Sequence, residues 1–220
     1  MKQSLGFIFD MNGTMVDDMH FHADVWHTML TEDLGAILTF ADSKKQMYGK
    51  NSELLQRIFG PDKFTEAEME HWSIEKEKRY QSIYLPHLKL IDGLNEFLAA
   101  AHEASIPMSI GSAAIPFNIN FVLDNLQLHH YFTTVVSADD VAISKPHPET
   151  FLKAAEKMGV APENCIVFED APKGVEAAAN AGMKSVVLTT MHQKDEFQQY
   201  NNVLHFVPDY TSLSIEQFLK

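Results

Sequence analysis

The hydrophobic pattern of this chain alternates between short apolar runs and longer stretches of helical periodicity from about residue 90 onward. The apolar runs predict strands at residues 107–111, 133–137, 165–168, 185–188 and 203–207. The stretches between them predict helices at residues 93–101, 117–128, 148–158 and 174–181. Strands that alternate with helices in this way predict a parallel sheet with helices on both faces.

The amino-terminal part of the chain has a different pattern. The run Leu5–Phe9 predicts one buried strand, and residues 17–85 then show no strand pattern. Within that block, Thr65 and Glu68 have the spacing of a capping box that opens a helix running toward Tyr84. We therefore predict an α/β fold with a doubly wound parallel-sheet core, formed by residues 1–16 and 86–220, and an inserted α-helical cap at 17–85. A set of helices packed on the sheet is the alternative for that block.

Composition and charge narrow the function classes. The chain has 220 residues, with 17 Lys and Arg against 30 Asp and Glu, giving a net charge of -13. This acidity disfavours nucleic acid and anionic membranes as partners, because both require a basic surface. Cys165 is the one cysteine, which excludes an internal disulfide and favours a reducing cytoplasm. No signal peptide or membrane span is evident, so we expect a cytoplasmic monomer that acts on a small molecule.

Four polar segments follow predicted strands, at residues 10–14, 111–113, 144–146 and 169–170. Each alone could be an ordinary turn, a surface lysine or a solvated acidic loop. Together they suit phosphoryl transfer, which requires positioning and charge neutralisation more than covalent chemistry. Asp10 and Asp170 offer oxygen ligands for Mg²⁺, and Lys145 offers a fixed positive charge. Ser112, with nearby backbone N–H groups, would hold phosphate oxygens while Asp10 attacks phosphorus.

In this order, the four segments resemble the motifs of the haloacid dehalogenase superfamily of phosphotransferases. The family's first motif is Asp-x-Asp-x-Thr/Val, and this chain has Asp-Met-Asn-Gly-Thr at residues 10–14. The segments at 144–151 and 168–175, together with His20, His22 and Trp26, resemble the β-phosphoglucomutase-like subgroup more closely. The resemblance covers essentially the whole chain and implies a core with a helical cap that closes over the site.

The resemblance also implies roles for individual residues. Asp10 matches the nucleophile, and Ser112, Ala113 and Lys145 match the phosphate-binding positions. The implied magnesium ligands are Asp10, the main-chain carbonyl of Asn12 and Asp170, and Glu169 is either a further ligand or a partner that supports the ligands. The cap positions that match sugar and distal-phosphate contacts are His22, Trp26, Gly49, Lys50, Ser52 and Lys76. Helix packing is the alternative role for Trp26, and Lys50 or Ser52 stands where the mutases place an arginine, which binds phosphate with a bidentate fork that lysine lacks.

Asn12 departs from the family pattern at the position of the general acid and base. An aspartic acid there protonates the leaving oxygen and later accepts a proton, which an amide cannot do. Three interpretations are open: a slowed phosphatase that favours good leaving groups, a weak enzyme that binds a phosphorylated ligand or partner, and an altered residue that is not the functional form. The third arises because Asn-Gly sequences readily lose the side-chain amide, and because such a change can be engineered.

We predict the first of these, a magnesium-dependent phosphatase or phosphomutase that acts on a small phosphorylated metabolite such as a sugar phosphate. β-Phosphoglucomutase activity is the alternative, and a phospho-ligand or partner-binding homologue is a further one. A dinucleotide-binding oxidoreductase is disfavoured because Gly-x-Gly-x-x-Gly does not follow the first strand. A receiver domain of a signalling system would be much shorter and would have no cap.

Overall fold

A parallel sheet forms the centre of the core in the computed structural model, which describes residues 5–132 and 134–219. Its six strands run in the order β3-β2-β1-β4-β5-β6. They are β1 (Gly6–Phe9), β2 (Met108–Gly111), β3 (Thr134–Val136), β4 (Cys165–Glu169), β5 (Lys184–Leu188) and β6 (Val203–Val207). Each strand coincides with a predicted apolar run; of the run at 133–137, Thr133 lies outside the described residues. The predicted α/β fold class is confirmed.

The strand β1 lies between β2 and β4 and is buried on both faces. All four of its residues are buried, which explains why the run is continuously apolar rather than alternating. Phe9 is paired with Ile110 on one side and Phe168 on the other, so these three strands end at nearly the same level. The polar residues that follow them are therefore brought to one edge of the sheet.

Helices cover the sheet and fix it from both faces. In the core they are α5 (Leu94–Glu103), α6 (Pro116–Leu126), α7 (Glu149–Met158) and α8 (Pro172–Asn180). One buried cluster joins Ile8 and Val167 of the sheet to Phe151 and Ala154 of α7. A second is aromatic and includes Phe9 stacked on Phe168 with ring centroids 4.6 Å apart. These two layers hold the central strands rigidly beneath the polar residues at their ends.

The cap is a separate compact unit formed by residues 18–88. It contains α1 (Met19–Thr28), α2 (Phe40–Lys45), α3 (Asn51–Phe59) and α4 (Glu66–Tyr84), with a π-helical turn at Met29–Asp33 that the sequence pattern did not predict. The predicted capping box is present: the Thr65 hydroxyl accepts from the Glu68 amide at 3.3 Å, and the Glu68 carboxylate accepts from the Thr65 amide at 2.8 Å. Trp26 and Leu55 belong to the apolar cluster of this unit.

The core unit comprises the residues up to Asp17 and those from Lys89 onward. No helix in the described part of the chain is long and apolar enough to cross a membrane.

The burial of Cys165 gives a test of this packing. The residue is 1% exposed at the start of β4, and burial raises the pKa of its thiol to about 12. Because the thiolate is the reactive form, we expect the native protein to resist alkylation at mildly alkaline pH. The measurement is mass-detected modification by iodoacetamide with and without urea. Rapid stoichiometric labelling without denaturant would contradict this placement of β4.

Candidate active site

Asp10 follows β1 directly and is held in the middle of the sheet edge. Its backbone amide donates to the Phe168 carbonyl at 2.9 Å, which extends the pairing with β4 by one residue. The residue is 8% exposed, and burial is the largest influence on the pKa of its carboxyl, which is raised to about 7 despite the neighbouring Lys145. A divalent cation bound beside Asp10 would favour the ionised form of this carboxyl, because an opposite charge lowers its pKa.

Lys145 supplies the positive charge closest to Asp10. Its ammonium group lies 2.7 Å from Asp10 Oδ1 and 2.8 Å from Glu169 Oε1, and its side chain is buried. Burial alone would lower the pKa of Lys145, but the carboxylates of Asp10 and Glu169 together raise it. The ammonium also lies 4.6 Å from the centroid of the Phe151 ring. Lys145 is therefore permanently charged and fixed between two carboxylates.

Glu169, the last residue of β4, and Asp170, which follows it, complete a buried acidic cluster. Asp10, Glu169 and Asp170 each place one carboxylate oxygen within 4.8 Å of those of the other two. Burial raises the pKa of Asp170 well above its usual value, and the charges of Glu169 and Asp10 raise it further. When ionised, the three carboxylates outnumber the one ammonium in contact with them among the described residues, that of Lys145, and carry an excess of negative charge. Hard oxygen donors at this spacing fit a divalent cation such as Mg²⁺.

The Glu169 carboxylate is locked in place by its own strand end. Its second oxygen, Oε2, accepts from the backbone amides of Asp170 at 2.9 Å and Ala171 at 2.8 Å. The α8 residue Gly174 packs so closely on this carboxylate that a methyl group at its Cα would overlap the side chain. Gly174 is part of the segment at 168–175 that resembles the family, but its close packing against the Glu169 carboxylate was not predicted.

Ser112 lies on the other side of Asp10, at the end of β2. Its backbone amide donates to the Val136 carbonyl at 2.9 Å, and its hydroxyl oxygen accepts from the Ala114 amide at 3.1 Å. Ser112 is buried, whereas Ala113 is half-buried in the turn that leads to α6. A serine hydroxyl that accepts in this way retains its own proton for donation to an anion.

Asn12 lies in the turn that follows Asp10. It forms an isolated parallel bridge with Val16, and the Gly13 amide donates to the Val16 carbonyl at 2.8 Å. Gly13 has a φ of 75°, which glycine adopts without the strain that other residues incur. The Thr14 hydroxyl lies 3.5 Å from Asp170 Oδ1, so this turn reaches across to the end of β4.

Within the cap, three of the predicted binding residues come together. His22 Nδ1 lies 2.6 Å from the Lys76 ammonium, which lies 5.5 Å from the centroid of the Trp26 ring. All three are buried, and Trp26 belongs to the apolar cluster, so its packing role is evident in the structure. Lys76 also pairs with Glu77 at 2.9 Å, which neutralises much of its charge.

The predicted loop at Gly49, Lys50 and Ser52 leads into α3, and all three residues are half-buried. Asn51, the first residue of α3, donates to Glu77 Oε1 at 3.0 Å, which places the start of α3 beside α4. Burial would raise the pKa of Glu77, but Lys76, His22 and the Asn51 hydrogen bond lower it overall. The cap therefore contains a buried charge network in which Lys76 and His22 are already engaged.

The sequence analysis missed two residues that contact the nucleophile turn from the carboxyl-terminal part of the chain. The Thr190 hydroxyl donates to the Gly13 carbonyl at 2.6 Å, and the Tyr210 hydroxyl donates to the Thr14 carbonyl at 3.1 Å. Neither residue lies in a motif, and nothing in the local pattern marks it.

Comparisons of the sequence and of the fold with known proteins identify the family of this chain. A family model described as haloacid dehalogenase-like hydrolase matches residues 5–182. The chain is 33% identical to fructose-1-phosphate phosphatase YqaB of Escherichia coli over 82% of this chain and 94% of that protein. Among solved structures, a family IA haloacid dehalogenase hydrolase from Entamoeba histolytica has a TM-score of 0.86 at 25% identity, covering 98% of this chain and 97% of its own. β-Phosphoglucomutase from Clostridium difficile has a TM-score of 0.82 at 26% identity, again covering 98% and 97%.

The close approach of Gly174 to Glu169 gives a prediction about the site. We expect Gly174→Ala to displace the Glu169 carboxylate and lower phosphatase turnover by about tenfold or more, since such errors of placement are costly in catalysis. The measurement is magnesium-dependent hydrolysis of an aryl phosphate. Gly159→Ala is the matched control: Gly159 has a φ of 69° and open space around it, so that change strains the backbone far from the carboxylates. Full turnover in Gly174→Ala would show that Glu169 tolerates the methyl group.

The hydrogen bonding of Gly13 gives a second prediction. Loss of the Asn12 amide proceeds when the Gly13 backbone nitrogen attacks Asn12 Cγ, releasing ammonia and forming a succinimide that water opens. In the folded chain that nitrogen is engaged with the Val16 carbonyl. We therefore expect Asn12 to persist as an amide in the folded protein and to deamidate faster in urea, as measured by the mass of the peptide spanning residues 11–13. Equal rates in both conditions would contradict this protection.

Proposed function

The chain belongs to the haloacid dehalogenase-like hydrolases, and on that premise we propose that it is a magnesium-dependent phosphatase of small phosphorylated metabolites. The single observation that carries the proposal is the contact of Lys145 with both Asp10 and Glu169 inside a buried acidic cluster. A cluster of this kind beside a fixed cation suits the transfer of a phosphoryl group to a carboxylate. The named relatives, one of them a sugar-phosphate phosphatase, favour a sugar phosphate as substrate.

Asp10 is the proposed nucleophile. One carboxylate oxygen of Asp10 attacks phosphorus, the bond from phosphorus to the leaving oxygen breaks, and an aspartyl-phosphate forms. A water molecule then hydrolyses that intermediate, releasing inorganic phosphate and regenerating Asp10. Lys145 neutralises charge on the transferring group throughout, because its ammonium is fixed and permanently protonated. Ser112, beside the half-buried Ala113, is proposed to donate its hydroxyl proton to a phosphate oxygen.

The donor set fits Mg²⁺. Asp10, Glu169 and Asp170 would hold the ion, with the Asn12 main-chain carbonyl as a further oxygen ligand. When bound, Mg²⁺ supplies neutralisation of phosphate charge that Lys145 alone does not provide.

The cap residues are proposed to bind the part of the substrate away from the reacting phosphate. His22 and Lys76 form one polar group, and Gly49, Lys50 and Ser52 lie at the loop beside it. Trp26 is proposed to support this group by packing against the Lys76 side chain. Because Lys76 is already paired with Glu77, we expect the cap to recognise hydroxyl groups more than a second phosphate. This expectation favours a monophosphate substrate.

Asn12 is proposed to slow the reaction on poor leaving groups. An alkoxide that leaves from an alkyl phosphate requires a proton, whereas an aryl oxide or an acyl carboxylate does not. Mutase activity is disfavoured for the same reason, since an incoming sugar hydroxyl must lose a proton to a base. A function limited to binding a phosphorylated ligand is the second candidate, and it is favoured only by this substitution.

The leaving-group argument predicts a selective gain from Asn12→Asp. We expect turnover of alkyl phosphates such as sugar phosphates to rise about a hundredfold to ten-thousandfold, the range typical of general acid–base catalysis. Turnover of aryl phosphates should change far less, because their leaving groups need no proton. The measurement is phosphate release from a panel of aryl and alkyl phosphates, with and without Mg²⁺.

Asp10→Asn is the control, and it should abolish turnover of both substrate classes. If Asn12→Asp leaves alkyl phosphate turnover unchanged, the missing-acid argument is wrong. If the unaltered chain hydrolyses no phosphate with Mg²⁺ while it binds a phosphorylated ligand, the binding function replaces the phosphatase.

A further inference from the structure

The turn that carries the nucleophile satisfies only part of its own hydrogen bonding. Its Met11 carbonyl accepts from the Met15 amide at 2.8 Å, and its Val16 carbonyl accepts from the Gly13 amide at 2.8 Å. The carbonyls of Gly13 and Thr14 accept instead from side chains far along the chain, Thr190 and Tyr210. Buried carbonyls of this kind require partners, so these two hydroxyls help to fix the path of the turn.

Burial and packing hold the Tyr210 side chain in the position from which it donates to the Thr14 carbonyl. It is 1% exposed, its backbone amide donates to the Asp92 carbonyl at 2.9 Å, and its ring lies 5.7 Å from that of Phe168. Burial raises the pKa of its phenol well above the usual value, and the charges of Asp10 and Asp170 raise it further. The hydroxyl therefore remains a proton donor, and it is close enough to Asp10 and Asp170 for their charges to influence its pKa.

Thr14 links this contact to the reacting groups. Its carbonyl accepts from Tyr210, while its hydroxyl lies 3.5 Å from Asp170 Oδ1. The adjacent Gly13 carbonyl receives the shorter bond, 2.6 Å, from Thr190, which lies in the turn after β5. Two neighbouring carbonyls, three and four residues beyond Asp10, are thus held by two separate parts of the chain.

We infer that Thr190 and Tyr210 are positioning residues for the phosphoryl-transfer site, which hold the nucleophile turn so that Asp10 and the Asn12 carbonyl keep their places relative to Asp170. The inference rests on the proposed function. Neither hydroxyl touches the reacting phosphate; each acts through a backbone carbonyl. Such support matters because a displacement of an attacking group by about 1 Å can cost about a hundredfold in rate.

The test uses the full chain with Tyr210→Phe and Thr190→Val, which remove each hydroxyl and preserve size. We expect kcat for an aryl phosphate to fall about tenfold in each variant, a loss typical of partial misplacement, while KM stays within about twofold. Thr190→Ser retains the hydroxyl and should restore most of kcat. Hydrogen exchange of the peptide spanning residues 11–16, measured without substrate or Mg²⁺, should become faster in Tyr210→Phe and Thr190→Val.

Tyr200→Phe is the matched control, because the Tyr200 hydroxyl bonds to Glu176 at 3.3 Å and contacts no part of the nucleophile turn in the described residues. Its kcat and its exchange in residues 11–16 should equal those of the unaltered chain. The inference is overturned if Tyr210→Phe and Thr190→Val keep both the original kcat and the original exchange, or if Tyr200→Phe loses as much of both. If the unaltered chain hydrolyses no phosphate, the proposed function fails, and the exchange comparison alone decides whether these hydroxyls hold the turn.

Discussion

The contact of one buried ammonium with two buried carboxylates is the interaction on which the site depends. Asp10 and Asp170 could not remain ionised beside Glu169 without compensation, because burial and the neighbouring carboxylates raise the pKa of Asp10 and of Asp170. Lys145 lies 2.7 Å from Asp10 and 2.8 Å from Glu169 and supplies part of that compensation. Removing one partner of such a buried pair typically costs about 3–5 kcal/mol. The remaining negative charge is what makes the cluster a fitting place for a divalent cation.

The parallel sheet brings the three carboxylates into range of Lys145 by placing the ends of its central strands side by side. The strands β2, β1 and β4 are adjacent and in register, so the residues that follow them emerge side by side. Apolar packing of Phe9 on Phe168 below the site holds the strand ends together. The charged groups are therefore positioned by hydrophobic burial, which also excludes water and strengthens each electrostatic contact above it.

The strands of the core were predictable from sequence because each contains a short, mainly apolar run bounded by turn residues. The residues of the acidic cluster were predictable for a related reason, since each lies within two residues of the end of such a run. Thr190 and Tyr210 were not, because their partners are the backbone carbonyls of Gly13 and Thr14, which no side-chain pattern encodes. The contact of Lys76 with Glu77 was also missed. Both residues are charged, and the sequence does not show that both side chains are buried in the cap.

We propose that Asn12 separates two roles that the family resemblance assigns to one residue, an oxygen ligand for the metal and a donor and acceptor of protons. A main-chain carbonyl is independent of the side chain, so the carbonyl that we propose as a metal ligand is present whether residue 12 is an acid or an amide. Proton transfer at this position would require a carboxyl side chain, which Asn12 lacks. Fixed charges and hydrogen-bond donors aimed at the reacting group usually provide the largest part of catalysis, and Lys145, Ser112 and the acidic cluster all remain. The chain should therefore keep the electrostatic part of phosphoryl transfer and lose the part that varies with the basicity of the leaving group.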